Sequence, residues 1–252
     1  MIRYGLKLWS NNIDLFEQAR ELCRSKSFDF VELYNNPSVV TELEAMAPLA
    51  GYVETIHNPH THGWHEFFFA SEEQMAHWQR TVAMADFFSA KHIIIHPSRE
   101  HTLKTFAENF ARIADPRILI ENMAGQDIYG LVMGCGQSID DLVALRRLAP
   151  ICFDIEKGIK GAAQQGIAYK EFIAQALTSL EPEYFHLSSG DSTSPIDQHL
   201  NLWEGNFDWE WIRRTLQEYS ANRTVRISLE TPKMKGTLEN DARNVEFFKG
   251  SL

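Results

Sequence analysis

Six apolar runs in this sequence end in a residue type that binds metals or moves protons: Thr55-Ile56-His57, Ile93-Ile94-Ile95-His96, Ile118-Leu119-Ile120-Glu121, Ile151-Cys152-Phe153-Asp154, Tyr184-Phe185-His186 and Ile227-Ser228-Leu229-Glu230. Each run reads as a short buried strand. A carboxylate at the end of such a strand must be paired, hydrogen-bonded or bound to a metal. A lone strand-end His or Glu has an ordinary explanation as a capped or ion-paired side chain. Three His and three carboxylates at equivalent positions point instead to convergence on one metal site. Such donors suit Zn²⁺ or Mn²⁺, and the lack of Cys among them argues against a Cys-rich structural zinc site. A carboxylate can also bridge two ions, and closely spaced ions activate water and stabilise a leaving oxygen. Further on, Asp197-Gln198-His199 forms a D-x-H just ahead of Trp203-Glu204-Gly205-Asn206. It lies in the loop that begins at His186, from which it can reach the same cavity.

Strand and helix signals alternate along the whole chain and set where these residues fall. Strand signals lie at 4–9, 30–33, 52–57, 92–96, 118–121, 151–154, 184–186 and 226–230. Between them, helix signals lie at 13–23 (with Asn12 as N-cap), 39–46, 71–89, 103–113, 138–148 (capped by Ser138), 169–178, 209–219 and 238–248. Ser71-Glu72-Glu73-Gln74 is close to a capping box. Eight β-α units without a linker predict an α/β fold, a single (β/α)8 TIM barrel spanning 1–252 as one domain. An open doubly wound sheet would need a Gly-rich phosphate turn after strand one, and Trp9-Ser10-Asn11-Asn12 is not one. The barrel also explains the ligand pattern, because its active site sits at the C-terminal ends of the strands.

Bulk properties agree. The 252 residues are 44% hydrophobic and 23% charged, as in an ordinary soluble protein. No apolar run approaches the roughly 18 residues of a membrane span, and the start lacks a signal-peptide pattern. Three cysteines without C-x-x-C predict a reducing, cytoplasmic setting. A net charge of −10 argues against broad affinity for nucleic acid, but leaves room for a local basic face or a site made positive by metal ions. No membrane or protein partner is implied.

His57 before Asn58-Pro59, His96-Pro97-Ser98, Glu121-Asn122-x-Ala-Gly-Gln, Asp154, His186, Asp197-x-His199 followed by Glu204-Gly205-Asn206, and Glu230-Thr231-Pro232 resemble the endonuclease IV family. That family is part of the xylose isomerase-like TIM-barrel superfamily. The resemblance runs from strand three to strand eight. It implies a trinuclear zinc site that cleaves the phosphodiester 5′ to an abasic site in damaged DNA. On that likeness His57 and His96 hold a first metal, with Glu121 bridging to a second that Asp154, His186 and Glu230 complete. Asp197 and His199 hold a third. One position departs: the family pattern has a His three residues after the strand-six Asp, and here Lys157 stands there. An ammonium is not a metal ligand. Lys157 either supplies positive charge near a substrate phosphate or sugar oxygen, or is ion-paired to Asp197 or Glu156. The count is then two or three ions, zinc or manganese, with Glu121, Glu230 and Lys157 as the catalytic candidates.

The superfamily's sugar isomerases and epimerases are the alternative. Their strand-end Glu, Asp, His and Glu match Glu121, Asp154, His186 and Glu230, around one ion that holds adjacent substrate oxygens while two carboxylates move a proton. A barrel that binds metal or sugar without turnover is a third reading. Asn122 and the loop residues His60 and Trp64 are expected at the substrate, and Phe67–Phe69 are expected to pack on the rim. Trp209 and Trp211 are expected to pack as well. A DNA enzyme should gather basic residues on the rim, for which Arg99, Lys157, Lys160, Lys233 and Lys235 are the candidates.

Overall fold

The computed structural model describes residues 1–59, 61–62, 65–66, 71–97 and 101–250. Eight parallel strands close into a barrel in chain order: β1 (Ile2–Trp9), β2 (Phe30–Tyr34), β3 (Val53–His57), β4 (His92–Ile95), β5 (Ile118–Glu121), β6 (Ile151–Asp154), β7 (Tyr184–Leu187) and β8 (Val225–Leu229). Pairing of β1 with both β2 and β8 completes the closure. Around the barrel lie α1 (Phe16–Arg24), α2 (Glu72–Phe88), α3 (Leu103–Phe110), α4 (Ile139–Arg146), α5 (Ile155–Gln165), α6 (Tyr169–Leu180), α7 (Trp209–Tyr219) and α8 (Glu239–Lys249). A short antiparallel pair, Thr61–His62 with His65–Glu66, lies in the His-rich loop. Among the described residues no helix is long and apolar enough to cross a membrane.

The closed (β/α)8 barrel is the expected fold, with three local differences. After β2 the chain forms a 3-10 helix, Leu43–Leu49, rather than a helix over 39–46. Leu43, Met46 and Leu49 recur every three residues, which suits the three-residue turn, and Met46 and Leu49 are buried while Val39 and Val40 are exposed. The segment over 13–23 splits into a 3-10 turn, Ile13–Leu15, and α1. Asn12 does not cap it; its Oδ1 accepts from the Trp9 backbone N–H at 2.8 Å. The third difference is α5, which the sequence pattern hid. Asp154 ends β6 and also caps α5, its Oδ1 accepting from the Lys157 N–H at 3.0 Å. The strand therefore runs into the helix without the loop that marks a boundary, and Gly158 and Gly161 weaken the helical signal. The expected caps are present at Ser71, in a capping box with Gln74, and at Ser138.

The barrel interior is layered. Phe30, Ile94, Leu119, Cys152 and Tyr184 form a buried apolar plug. Gly5 opposite them leaves room for the Phe30 ring, which a Cβ at that position would meet at 2.4 Å. Side chains on one face of a strand recur every two residues. Two residues past the plug therefore come Glu32, His96, Glu121, Asp154 and His186, facing inward at the C-terminal end. The larger core lies between the strands and the helices, and Trp209 is buried within it. Trp211 packs at its edge against Tyr169, ring centroids 6.3 Å apart.

At the N-terminal end the barrel is tied by Glu54 on β3. Arg3 of β1 holds both its carboxylate oxygens at 2.8 Å, Lys91 approaches one at 3.1 Å and Arg226 of β8 the other at 3.2 Å. Burial alone would raise the Glu54 pKa, but these three cations bring it down to about 2. A carboxyl whose pKa is depressed on folding stabilises the fold above its unfolded pKa, and that stability is lost as pH falls toward the folded value. Glu54→Gln should therefore lower stability at pH 7 by about 2 kcal/mol, a figure already reduced for solvent screening. Urea unfolding midpoints should show the gap narrowing as pH drops below about 4.5; a gap independent of pH would rule out this ion cluster as its source.

Candidate metal centre

The six strand-end residues meet at the C-terminal mouth of the barrel, around Glu121. This carboxylate is fully buried at the end of β5. Its Oε2 faces His96 Nε2 at 2.7 Å and His57 Nε2 at 3.2 Å, and the two imidazole nitrogens lie 3.1 Å apart. Its Oε1 faces His186 Nδ1 at 3.2 Å and accepts from the Lys157 ammonium. Burial would raise the Glu121 pKa, yet its contacts with His96, Lys157 and His186 hold it well below the usual carboxylate range. Burial also lowers His96, to about 3, and lowers His57. Both are thus unprotonated near neutral pH, the form that ligates a metal.

Among the described residues five donor sets occur, including Glu121–Cys152–His186 and Glu32–His57–Glu230, and two that share Glu121 are built from His and carboxylate alone. His57, His96 and Glu121 form one, and Glu121, Asp154, His186 and Glu230 form the other, with ligand atoms in each within 4.8 Å of one another. A buried oxygen without a hydrogen bond supports the second set: Asp154 Oδ2 makes none, with the Lys157 ammonium 3.8 Å away, and burial raises the Asp154 carboxyl to about 7. Nitrogen and oxygen donors of this kind fit a divalent ion such as zinc or manganese.

Two residues that sequence reasoning passed over complete the charge pattern. Lys7 of β1 pairs with Glu230 and lies 3.0 Å from Glu32 Oε1. Glu32, buried in β2, accepts from the Tyr184 hydroxyl at 2.7 Å and faces His186 Nε2 at 2.8 Å. Glu32 thus fixes the orientation of His186, whose Nδ1 turns to Glu230 at 2.9 Å. The signal was present as the one charged residue inside Phe30-Val31-Glu32-Leu33-Tyr34. It lies in mid-strand, two residues before the strand end, outside the strand-end pattern that marks the other donors.

Asp197 and His199 lie beside the cluster as a pair, Nε2 to carboxylate 3.1 Å, with His199 Nδ1 3.5 Å from Glu230. Burial would lower the His199 pKa, but Asp197 and Glu156 raise it to about 10. Glu156 of α5 is near enough to make a further donor set with them. Its carboxylate is engaged otherwise, accepting from the backbone N–H of Gln198 at 3.0 Å and of His199 at 3.1 Å and from the Ser188 hydroxyl. These bonds hold His199 in a left-handed backbone conformation, φ 51°. Lys157 lies 3.8 Å from Asp154 and 4.0 Å from Glu230. Its direct partner is Glu121 rather than Asp197 or Glu156.

Asn122 clamps β5 to β6: its amide donates to the Asp154 carbonyl at 2.9 Å and its Oδ1 accepts from the Asp154 N–H at 2.6 Å. His60, Trp64, Phe67–Phe69 and Arg99 lie outside the described residues. The expected basic rim is not assembled from the other candidates. Lys157 and Lys160 are buried, and Lys160 binds the Asp191 carbonyl and Gln198 inside the loop after β7. Lys233 pairs with Asp241, which leaves Lys235 exposed. Beside the cluster opens a cavity of about 840 Å³, lined by Lys7, Trp9, Tyr34, His199, Glu230 and Pro232 among others. Its size is that of a small-molecule site.

Gly205 makes the loop geometry feasible. A Cβ there would come within 2.5 Å of the Gly190 carbonyl and 2.1 Å of Ser189 Oγ. Gly205→Ala should cost about 1–3 kcal/mol through overpacking, read as a lowered urea midpoint, and should separate His199 from Glu230. An unchanged midpoint would show that the loop yields at no cost.

The family model described as "Xylose isomerase-like TIM barrel" matches residues 20–250. No curated protein sequence matches the chain. Among solved structures it is similar to endonuclease IV from Thermus thermophilus, with TM-score 0.70 and 18% identity over 98% of each chain. It is also similar to a D-tagatose 3-epimerase-like protein, with TM-score 0.63 and 16% identity over 99% of each chain. A third is 3-keto-D-glucoside 4-epimerase from E. coli, with TM-score 0.64 and 14% identity, covering 99% of this chain and all (100%) of that one. At these identities the likeness is one of fold.

Proposed function

The chain belongs to the xylose isomerase-like TIM barrel family, and we propose that within it this protein is a divalent-metal-dependent phosphodiester hydrolase of the endonuclease IV type. The observation that carries this reading is the division of Glu121, with one oxygen toward His57 and His96 and the other toward His186 and Lys157. A carboxylate with donors on both sides suits the bridging of two ions. His57, His96 and Glu121 would hold one, and Glu121, Asp154, His186 and Glu230 the other. When bound, such ions supply Lewis acidity and neutralise charge developing at phosphorus. Lys157 and Lys7 add positive charge beside the donor sets. Glu230, on the cavity wall, is held by Lys7 and His186 and would serve as an oxygen donor to the second ion. Asp197 and His199 act in this reading as an ion pair that positions Glu230. Two ions, not three, then serve the site, because Glu156 is committed to the loop and Lys157 brings a charge where a ligand would be needed.

The scarcity of free cations on the described rim supports a short diester seated in the cavity over a long duplex. Incision at an abasic site is the more specific form of the same reading. The cavity favours a second reading, a sugar isomerase or epimerase with one ion at Glu121, Asp154, His186 and Glu230. Trp9 and Tyr34, centroids 5.8 Å apart, form an aromatic wall suited to a sugar face.

Protein loaded with zinc or manganese should be assayed on bis(p-nitrophenyl) phosphate, on a duplex with one abasic site, and on a ketose panel. We expect metal-dependent cleavage of a diester that Glu121→Gln lowers by about 100-fold or more. Epimerisation of a ketose with neither diester cleaved would sink the hydrolase reading in favour of the second.

A further inference from the structure

Lys157 stands where a metal's charge would stand. It springs from the first turn of α5, and its buried ammonium contacts Glu121 Oε1, with Asp154 Oδ2 at 3.8 Å and Glu230 Oε2 at 4.0 Å. These are the three carboxylates of the four-donor set completed by His186. The other Glu230 oxygen is held by Lys7. Glu121 Oε2, on the far side, faces the two imidazoles of His57 and His96. The two donor sets therefore meet an incoming ion differently. One presents two neutral imidazoles and a carboxylate oxygen, while the other presents carboxylates already bearing an ammonium.

We propose that Lys157 is a tethered cation that competes with a divalent ion for the Glu121–Asp154–His186–Glu230 set, so that the two sets load in order. The His57–His96–Glu121 set fills first. A second ion enters by displacing the ammonium from Glu121 Oε1, since like charges a few ångströms apart in a buried site repel strongly. The flexible four-carbon stem lets the ammonium swing away. Once displaced, it is free to meet an anionic group of the substrate in the adjoining cavity, so a phosphate-bearing ligand strengthens loading of the second ion. This inference rests on the metal binding of the proposed function, and the experiment separates the two.

Zinc is titrated by calorimetry into the full chain stripped of metal, with metal content counted by mass spectrometry. The wild type should bind a first ion at least about 10-fold more tightly than a second. Lys157→Met should strengthen the second ion about 10-fold or more, while Lys157→Arg, which keeps the charge, should preserve the gap. Asp154→Asn should remove the second ion and spare the first, which identifies the weaker site. Inorganic phosphate should tighten the second ion in the wild type and not in Lys157→Met. Two ions of equal affinity in the wild type overturn the inference without recourse to any variant. So does a Lys157→Met protein whose second ion is unchanged. Absence of zinc binding in every protein overturns the metal reading itself.

Discussion

A buried carboxylate that must not be left unpaired is the constraint on which this molecule turns. Glu121 lies at the end of a fully buried strand, where isolated charge is expensive. The barrel meets that cost by bringing partners from several strands and one helix. His57 comes from β3, His96 from the end of β4, His186 from β7 and Lys157 from α5. Lys7 and Glu32, from β1 and β2, complete the circuit through Glu230 and His186. Most barrel strands thus contribute charge to one mouth, and removing any partner leaves another buried charge exposed to the low-dielectric interior.

The apolar plug makes this arrangement possible. Phe30, Ile94, Leu119, Cys152 and Tyr184 close the barrel below the charged layer, so the polar groups are confined to one end. The strict two-residue alternation of the strands then converts each plug residue into an address for a site residue. At the opposite end, Glu54 with Arg3, Lys91 and Arg226 ties β1, β3 and β8 together. That division between a stabilising end and a chemical end is general to barrels of this kind. Here the Glu54 ion cluster lies at the end opposite the candidate metal centre.

The loop after β7 carries strain beside the candidate site. His199 adopts a left-handed backbone conformation, held by the Glu156 carboxylate, and Gly205 admits the close approach of Gly190. The same Glu156 sits beside Lys157 in the helix that follows β6 directly. One helical turn therefore sends one carboxylate to order the loop and one ammonium into the barrel centre.

The barrel and the gathering of six strand-end residues at one mouth were legible in the residue pattern alone. Both follow from short-range rules: apolar runs of strand length, helical spacing between them, and a closed topology that aligns the strand ends. The sequence also marks Lys157 as the position that departs from the endonuclease IV pattern. What Lys157 touches is settled by packing, because a long side chain at a helix start can reach several carboxylates and the fold selects Glu121. The helix α5 stayed hidden because Asp154 serves strand and cap at once, leaving no loop between them. Glu32 and Lys7 stayed hidden because their importance lies in register: β1 and β2 pair Lys7 with Glu32, and barrel closure sets both beside His186 and Glu230. The rim candidates Lys160 and Lys233 failed for the same reason, since partners distant in sequence, Gln198 and Asp241, engage them. Local pattern names the residues that can carry charge, and only the folded chain determines which charges meet.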